Sequence, residues 1–341
     1  MAFEVGQIVK GSLCEFLILR EVTRGAMGQL FEAIDTETVD SNCPRRLVII
    51  TPEADAESRE RFFRQAQLFH IRKQRGDGLA HVLETCDYAC SSQPFMVVEY
   101  LNGCTLQEVI ALGPPPPEEA LSLIGQVLHG LAAVHHAGVL HRDLRPANIF
   151  LTVKDAGWHA TIIDFGSAVR EGQGRRDPSS RWQPYVAPEQ HWGNARRTSD
   201  LYSVGVILWE LVMGRPPKKA SDLTRVDRLD IDLQRLLLRA TAQDERQRFR
   251  TADEFRIELE TYLQRKRSQR KTPTSKMGPW PRPERKHFAF AFAAIVVFAS
   301  RSLADHQRPE RALGATPWRQ HPGAAFPCDE CGEDWRLDDP R

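Results

Sequence analysis

The order in which strand-prone and helix-prone segments follow one another is the feature that most limits the fold of this chain. Short runs rich in β-branched and aromatic residues, separated by turn residues, dominate the first part. These runs cover residues 13–22, 29–35, 45–50, 81–89 and 94–101. Between them, residues 56–72 carry apolar side chains at helical spacing instead. The first part therefore predicts five strands with one inserted helix.

Helices are predicted for the part that follows. Residues 117–138 have apolar positions at i, i+3 and i+4 and glutamates in the first turn. Residues 199–214 are more uniformly apolar, which indicates a buried helix. Strands first and helices later predict an α+β protein with two lobes, at about 9–101 and about 102–263. The proline-rich stretch 111–119 predicts a rigid connector between these lobes.

The composition excludes several classes of protein. Of the 341 residues, 41% are hydrophobic and 27% are charged, which suits a soluble globular protein with a substantial core. The net charge is +1, so the bulk charge gives no reason to expect a nucleic-acid partner. The seven cysteines are scattered and odd in number, which favours a reducing compartment over a disulfide framework. Because the N-terminus has no apolar core of signal-peptide length, we expect the first domain to be cytoplasmic.

Four sequence motifs occur in a characteristic order. HRDLRPAN spans residues 141–148, DFG spans 164–166 and APE spans 187–189, while TRGAMG at 23–28 is the remnant of a glycine-rich loop. Each motif alone is a weak signal, but the ordered set is specific. Residues 9–263 thus resemble the protein kinase family, and Pro146 makes them similar to its bacterial (Hanks-type) serine/threonine branch. The resemblance implies a two-lobed kinase fold with a five-stranded, one-helix N-lobe and a mainly helical C-lobe.

The resemblance implies catalytic roles for polar residues of these motifs. Asp143 falls where the family places the group that accepts or orients the proton of the substrate hydroxyl. Asn148 and Asp164 are hard oxygen ligands at the positions where the family holds Mg²⁺. Arg145 replaces the usual lysine and keeps a positive charge near the transferred phosphate. The plainer alternative is that these are polar loop residues retained for folding.

The same resemblance implies a pocket for ATP. The residues expected to contact the nucleotide are Thr23, Gly25, Gly28, Leu30, Glu99, Leu101 and Phe150. In the family, the loop at 23–28 covers the phosphates, Leu30 lies above the adenine, residues 99–101 form the hinge and Phe150 lies below. The implied cofactors are ATP and Mg²⁺, and the implied partner is a protein substrate whose identity the sequence leaves open.

Several residues of the family's phosphate-binding apparatus are replaced. The strand-three lysine should fall at Ile50 or Thr51, and its glutamate partner on the first helix aligns with Gln65. The two losses belong together, because a buried glutamate without its lysine would be an uncompensated charge, whereas glutamine is neutral. Thr23 replaces the first loop glycine and restricts the backbone. Trp182 replaces a threonine that contacts the catalytic aspartate and is expected to reshape the peptide platform.

Another cation could compensate for the missing lysine. Arg24 lies in the glycine loop, and Arg45 and Arg46 begin the third strand. Arg24 is the best placed of the three, since the loop covers the phosphates. The alternative is that it is an ordinary solvated arginine.

Other motif residues are expected to be architectural. Glu189 and Arg248 match the family's buried ion pair between the activation segment and the helical lobe. Asp200 matches the aspartate that holds the backbone of the catalytic loop. His141 and Phe165 are expected to stack in the spine that joins the lobes.

Two functions remain open at the level of the sequence. The first is an active serine/threonine protein kinase of low activity, which the set Asp143, Asn148 and Asp164 supports. In that case an arginine at Arg142 implies control by phosphorylation, for which Ser179 and Ser180 are candidates. The second is a pseudokinase that holds nucleotide as a signalling scaffold, which the missing lysine supports.

The C-terminal part differs in composition from the rest. Residues 264–287 form a basic linker, residues 288–304 are a candidate membrane span or anchor, and residues 305–341 are expected to be disordered. This order resembles bacterial receptor kinases, with the kinase domain in the cytoplasm and the anchor in the inner membrane. The alternatives are a soluble helix or an interfacial anchor. Cys328 and Cys331 are half of a zinc site or a free pair.

Overall fold

The computed structural model describes residues 3–11, 13–25, 28–38, 46–51, 81–83, 85–89, 94–154, 157–172 and 183–269. Several sequence predictions fall outside these residues. They are the helix at 56–72 with Gln65, the serines 179 and 180, Trp182, and everything beyond residue 269. The candidate membrane segment 288–304 and the cysteine pair 328 and 331 are among them.

An antiparallel sheet of six strands forms the N-terminal part of the fold, with the strand order β1-β2-β3-β4-β6-β5. The strands are β1 (Ile8–Lys10), β2 (Glu15–Gly25), β3 (Gly28–Asp35), β4 (Arg46–Thr51), β5 (Thr85–Ala89) and β6 (Phe95–Glu99). The five predicted strands are present, and β1 is an additional one. It pairs with β2 through Val9 and Phe16, and its three residues are too short a run to show a period in the sequence.

Both faces of this sheet bury side chains. On one face, Phe3 from the N-terminal segment makes edge-to-face contacts with Phe31 at 5.9 Å and with Phe95 at 5.6 Å between ring centroids. On the other face, Leu30 of β3 packs in a cluster with Met96 of β6. Because successive residues of a strand point to opposite faces, neighbouring positions such as 30 and 31 serve the two clusters. The second cluster is the one that borders the predicted nucleotide pocket.

The part of the fold that follows β6 is mainly helical, as predicted, and is called the helical part below. Its helices are α1 (Leu106–Leu112), α2 (Pro117–His136), α3 (Arg197–Met213), α4 (Ile231–Ala240) and α5 (Ala252–Gln269). One short strand, β7 (Gly103–Thr105), precedes α1, and four more lie between α2 and α3: β8 (Val139–Leu140), β9 (Ile149–Lys154), β10 (Gly157–Ile162) and β11 (Val169–Arg170). In α3 every residue from Ser199 to Leu211 is buried, which confirms the helix predicted to be internal.

The prediction that residues 111–119 connect the two lobes is wrong. The stretch lies within the helical part, where it joins the end of α1 to the start of α2. Its prolines suit that place, because Pro117 occupies the first turn of α2, where a missing N–H leaves no hydrogen bond unmade. The actual passage from the sheet to the helices is the short segment after β6, around Leu101.

The last helix extends further than the sequence analysis placed it. α5 continues to Gln269, so the beginning of the predicted linker at residue 264 is helical. Its final turns are held to the rest of the fold, since the Tyr262 hydroxyl donates to Asp230 Oδ2 at 2.6 Å and Lys266 Nζ lies 3.5 Å from the same oxygen. The division of the remaining chain into linker, apolar segment and tail stays a prediction.

Among the described helices, none combines the length and the apolar character that crossing a membrane requires.

Three histidines form a cluster where residues 81–83, which precede β5, contact the helical part. The ring of His81 stacks on His159 of β10 at 4.4 Å between centroids, and His129 of α2 lies 5.5 Å from His81. His81 Nδ1 donates to the carbonyl of Ala160 at 2.8 Å, and the neighbouring Val82 forms a parallel bridge with β10. The cluster therefore sits on one of the contacts that join the sheet to the helical part.

The stability of the protein is expected to fall when this cluster is acidified. Burial lowers the pKa of His159 to about 4, with further lowering by His81 and Lys154, and burial likewise lowers the pKa of His81. An unfolded histidine titrates near ~6.5, so below that pH the unfolded chain binds more protons than the folded one. The stabilisation is therefore complete above about pH 6.5 and is lost as the pH falls toward 4.

Urea unfolding at pH 7.5 and pH 5.0 measures this effect. We expect the midpoint to drop less between the two pH values in His159→Phe than in the unmodified chain. His136→Gln, which alters an exposed histidine of α2, is the matched control and should keep the full drop. An equal drop in all three proteins would contradict the assignment of the pH dependence to the cluster.

Candidate active site

The motif residues come together because of two short ladders. In the first, β9 pairs with β10 so that Ile149 is opposite Ile162, which brings Asn148 beside the residues that precede Asp164. The Ile163 N–H accordingly donates to the carbonyl of Asn148 at 3.0 Å. In the second, β8 pairs with β11, on the far side of the DFG motif. The loop at 141–148 and the motif at 164–166 are thus held side by side.

Asp143 and Asn148 form the centre of this arrangement. Asn148 Nδ2 donates to the carbonyl of Asp143 at 2.7 Å and to its carboxylate Oδ2 at 3.2 Å. Burial raises the pKa of Asp143, and the nearby negative charge of Asp164 raises it further. The positive charge of Arg145 and the hydrogen bond from Asn148 oppose this rise without cancelling it. The predicted residues 143, 145, 148 and 164 therefore lie within electrostatic reach of one another.

The backbone of the catalytic loop is anchored by Asp200 of α3, as predicted. Its carboxylate accepts from the N–H of His141 at 2.9 Å and from the N–H of Arg142 at 2.8 Å. His135, at the end of α2, contacts the same carboxylate with Nε2 at 2.8 Å. Burial alone would raise the pKa of Asp200, but the hydrogen bond and charge of His135 outweigh it and the pKa is lowered. An ionised carboxylate in the core thus fixes two successive residues of the loop.

His141 joins the catalytic loop to the DFG motif. Its ring packs against Phe165 at 4.7 Å between centroids with a tilt of 60°, which confirms the predicted contact with a tilted rather than a parallel geometry. Its Nε2 donates to the carbonyl of Ile163 at 3.2 Å. Asp164 itself has a positive φ of 60°, and its Oδ1 accepts from the N–H of Gly166 at 3.1 Å.

The predicted ion pair at the end of the activation segment is confirmed. Arg248 is 1% exposed and binds Glu189 with two parallel hydrogen bonds, Nη1 to Oε1 at 2.7 Å and Nη2 to Oε2 at 3.0 Å. The remaining guanidinium hydrogens are used by backbone carbonyls, among them those of Ala242 and Thr198. Ser199 also donates to Glu189 at 2.6 Å. The pair therefore ties residue 189 firmly to the helical part.

Three further hydrogen bonds at this segment were not predicted from the sequence. Gln190 accepts from the N–H of Ala187 at 3.1 Å and donates to the carbonyl of Arg142 at 3.0 Å. The Tyr185 hydroxyl donates to Glu210 of α3 at 2.6 Å. The only sequence signal for Gln190 is its place directly after the APE motif, and a glutamine there gives no hint of its partner.

The predicted nucleotide residues are divided between the two parts of the fold. Leu30 lies in the sheet cluster, whereas Leu101 and Phe150 belong to the core of the helical part. Glu99 ends β6, immediately before the passage between the two. Thr23 pairs with Leu30 across the β2–β3 hairpin, and Gly25 pairs with Gly28 at its end. That these residues border one nucleotide cleft stays a prediction.

The register of β4 shows which residues are opposite the two candidate positions of the family's strand-three lysine, 50 and 51. Ile50 lies opposite Leu30 on β3 and opposite Met96 on β6, whereas Thr51 is opposite Gln29. Position 50 is therefore paired on both sides with members of the sheet cluster that is expected to border the nucleotide. Arg46 is at the other end of β4, opposite Ile34, so it is far along the strand from this position.

Asn148 and Asp164 form a donor set that fits Mg²⁺. Both hydrogen bonds from the Asn148 side chain to Asp143 use Nδ2, which leaves the amide oxygen available to a hard cation beside a carboxylate. Within the described ranges, no group of three or more His, Cys, Asp or Glu residues is close enough to hold a metal by itself.

Comparisons with known proteins identify the family to which this fold and these motifs belong. The protein kinase domain family matches residues 16–279, and the chain is a member of it. Its relatives place it in the bacterial Hanks-type serine/threonine branch of this family.

Individual relatives are bacterial kinases. The chain is 32% identical over 210 residues to the serine/threonine-protein kinase pkn2 of Myxococcus xanthus, over 59% of this chain and 25% of that protein. It is 30% identical over 192 residues to the serine/threonine-protein kinase PknB of Mycobacterium leprae, over 49% of this chain and 30% of that protein. The chain thus spans between a quarter and a third of the length of these relatives.

Solved structures agree on the fold. A mutant form of the kinase domain of Mycobacterium tuberculosis PknI superposes with a TM-score of 0.56 and 25% identity, over 76% of this chain and 99% of that one. The predicted two-lobed kinase fold is therefore confirmed.

Proposed function

We propose that this chain is a serine/threonine protein kinase that binds ATP with Mg²⁺ and transfers the γ-phosphate to protein hydroxyls at a low rate. The observation that carries the proposal is the meeting of Asp143, Asn148 and Asp164. Two hydrogen bonds from Asn148 fix the backbone and the carboxylate of Asp143, and Asp164 is close enough to affect its pKa.

Asp143 is the proposed acceptor of the proton from the substrate hydroxyl. Its raised pKa increases its proton affinity, and the hydrogen bond from Asn148 Nδ2 holds the carboxylate in one orientation. Arg145 places a positive charge near Asp143, where it is proposed to stabilise the negative charge of the phosphate during transfer. Asn148 Oδ1 and the Asp164 carboxylate are the proposed ligands of Mg²⁺, which when bound neutralises charge on the phosphates.

The cleft between Leu30 and Phe150 is the proposed adenine site. Both side chains are fully buried, Leu30 in the sheet cluster and Phe150 in the helical core together with Leu101, which follows the hinge residue Glu99. Apolar surfaces above and below with a backbone edge at the side suit a planar base. The hairpin that carries Thr23, Gly25 and Gly28 is proposed to cover the phosphates.

The rate is expected to be low because the phosphate clamp is incomplete. The sequence has Ile50 at the position that the register places against Leu30, and no lysine stands at position 51 either. Each ~1.4 kcal/mol of lost transition-state stabilisation costs about tenfold in rate. Arg24, opposite Gln29 at the end of the hairpin, remains the candidate for partial compensation.

A pseudokinase is the second candidate function. The absence of lysine at positions 50 and 51 favours it, since a site without that clamp can hold nucleotide without orienting it for transfer. In this case the chain would serve as a nucleotide-binding signalling scaffold. The intact residues Asp143, Asn148 and Asp164 would then act only in binding.

Incubation of the full-length chain with γ-labelled ATP and Mg²⁺ separates the two functions. We expect slow, Mg²⁺-dependent label on serine or threonine of the chain or of added protein. A parallel thermal unfolding series with ATP monitors binding. A thermal shift on ATP addition without any transferred label would select the pseudokinase, and the absence of both shift and label in a folded sample would reject both functions.

We also infer from the sequence that the kinase domain is cytoplasmic and that residues 288–304 attach it to the inner membrane. Basic residues on the N-terminal side of the apolar run support this orientation. Alkaline carbonate extraction of membranes tests it, because a span resists extraction whereas an association through the basic linker does not. Recovery of the full chain in the soluble fraction at low salt would contradict any attachment.

A further inference from the structure

We propose that Gln190 is a positioning residue that holds the catalytic loop in place immediately before Asp143. The role rests on the proposed kinase function, since it gives the glutamine a part in orienting the catalytic carboxylate. Gln190 follows Glu189 in the short 3-10 turn Pro188–Trp192, and its side chain is only 2% exposed. A buried amide needs partners for both of its ends, and it finds them in two different segments.

One end of the amide binds the activation segment and the other binds the catalytic loop. Oε1 accepts from the N–H of Ala187 at 3.1 Å, and Nε2 donates to the carbonyl of Arg142 at 3.0 Å. The partners determine the orientation of the amide, because only its oxygen can meet an N–H and only its nitrogen can meet a carbonyl. Gln190 therefore forms a bridge from the end of the activation segment to the residue before Asp143.

Arg142 is a residue whose backbone needs such support. Its φ is 69°, in the left-handed region that residues with side chains disfavour. Its N–H donates to Asp200 Oδ1 at 2.8 Å, and its carbonyl accepts from Gln190. Both backbone polar groups are thus held by side chains from separate parts of the chain, α3 and the turn after the APE motif. The peptide that leads into Asp143 is fixed at its carbonyl by Gln190.

The neighbouring Glu189 binds residues of the helical part instead of the catalytic loop. Its carboxylate binds Arg248 and Ser199, which hold the turn on the helical part without touching the catalytic loop. Removal of Glu189 would loosen the whole turn, whereas removal of the Gln190 amide would free the carbonyl of Arg142 and leave the anchors of the loop on Asp200 in place. Glu189 thus attaches the activation segment to the helical part, and Gln190 connects the segment to the residue before Asp143. The Gln190 amide therefore couples the segment at Ala187 to the carbonyl of Arg142 in the catalytic loop.

Gln190→Leu tests the role by keeping the approximate volume and removing both hydrogen bonds. In the full-length chain we expect kcat to fall about tenfold to a hundredfold, because small errors in orientation are costly to a reaction that depends on positioning. The KM for ATP should stay within about twofold, since the cleft residues are untouched. The matched control is Gln234→Leu, which removes an amide that donates to the Leu229 carbonyl at 2.7 Å, away from the site.

Gln190→Glu gives a signature that a merely structural residue would not give. When protonated, the acid can donate to the Arg142 carbonyl and accept from the Ala187 N–H, as the amide does. When ionised, it cannot donate and faces the carbonyl with a negative charge. Burial should raise the pKa of the introduced acid. The activity of Gln190→Glu relative to the unmodified chain should therefore fall as the pH rises, whereas the ratio for Gln190→Leu should be flat.

Hydrogen–deuterium exchange keeps the test independent of catalysis. We expect faster amide exchange across residues 139–149 in Gln190→Leu and no change across residues 252–269. If the unmodified chain transferred no phosphate while this exchange difference appeared, the proposed function would fail but the positioning contact would stand. Unchanged exchange, or a kcat within about twofold together with a flat ratio for Gln190→Glu, would overturn the proposal. If Gln190→Leu did not fold, two measurements on Gln190→Glu would replace it: the dependence of its relative activity on pH, and its amide exchange across residues 139–149 at high pH. A flat activity ratio or unchanged exchange would overturn the proposal.

Discussion

Arg248→Ala is expected to lower the free energy of unfolding by about 3–5 kcal/mol, because it leaves the largely buried carboxylate of Glu189 without its charge partner. The guanidinium makes two parallel hydrogen bonds to Glu189 and further bonds to backbone carbonyls. It also lies 4.8 Å above the ring of Tyr202. The substitution therefore removes a charge partner, several donors and a packed side chain in one step.

Chemical denaturation of the full-length chain measures this loss. Arg246→Ala, two residues earlier at an exposed position, is the matched control and should change stability by less than about 0.5 kcal/mol. A loss below about 1 kcal/mol in Arg248→Ala would mean that water replaces the guanidinium. In that case the ion pair would not be what holds the activation segment to the helical part.

The double substitution Ile50→Lys with Gln65→Glu is expected to raise phosphoryl transfer at least tenfold, which corresponds to about 1.4 kcal/mol of transition-state stabilisation. Either single change should raise it less, because a lysine without a counter-ion, or a glutamate without a cation, is an uncompensated charge. The effects should therefore be non-additive. Initial rates with labelled ATP for the four proteins of the cycle measure this coupling.

The register also distinguishes the two candidate lysine positions. Position 50 is opposite Leu30 and Met96, two members of the sheet cluster that is proposed to border the nucleotide, whereas position 51 is opposite Gln29. Because successive residues of a strand point to opposite faces, only one of the two can serve the cleft. Thr51→Lys with Gln65→Glu is thus the control and should give no gain. Equal rescue by both doubles would show that the alignment of the strand with the family is wrong.

The sequence could predict those parts of the fold and site that depend on local pattern. The strand runs and the internal helix at Ser199–Leu211 follow from residue types at fixed spacing, and the ion pair of Arg248 follows from the resemblance to the kinase family. The structure contains all three. Strand β1 was missed because three residues are too few to show a period. The prolines near residue 114 were assigned to the wrong junction, since a rigid connector looks the same wherever it lies.

Contacts between distant segments could not be predicted in this way. Gln190 and Arg142 are far apart in the sequence, and neither residue type identifies the other as its partner. The meeting of His81, His129 and His159 similarly depends on three separate segments. Hydrogen bonds from a side chain to a backbone carbonyl carry no sequence signature at the acceptor, because every residue has the same carbonyl. Such contacts become visible only when the fold has brought the segments together.

The rate of γ-phosphate transfer by the full-length chain and by Asp143→Asn, at saturating ATP and Mg²⁺, tests the central claim most directly. Asn keeps the size of Asp143 and removes its capacity to accept a proton, and proton transfer by a positioned group contributes about 10²–10⁴-fold. The proposed function predicts a measurable rate for the unmodified chain and a rate at least about a hundredfold lower for Asp143→Asn, with equal thermal stability. Equal rates in the two proteins, or no transfer by a folded chain that binds ATP, would contradict it.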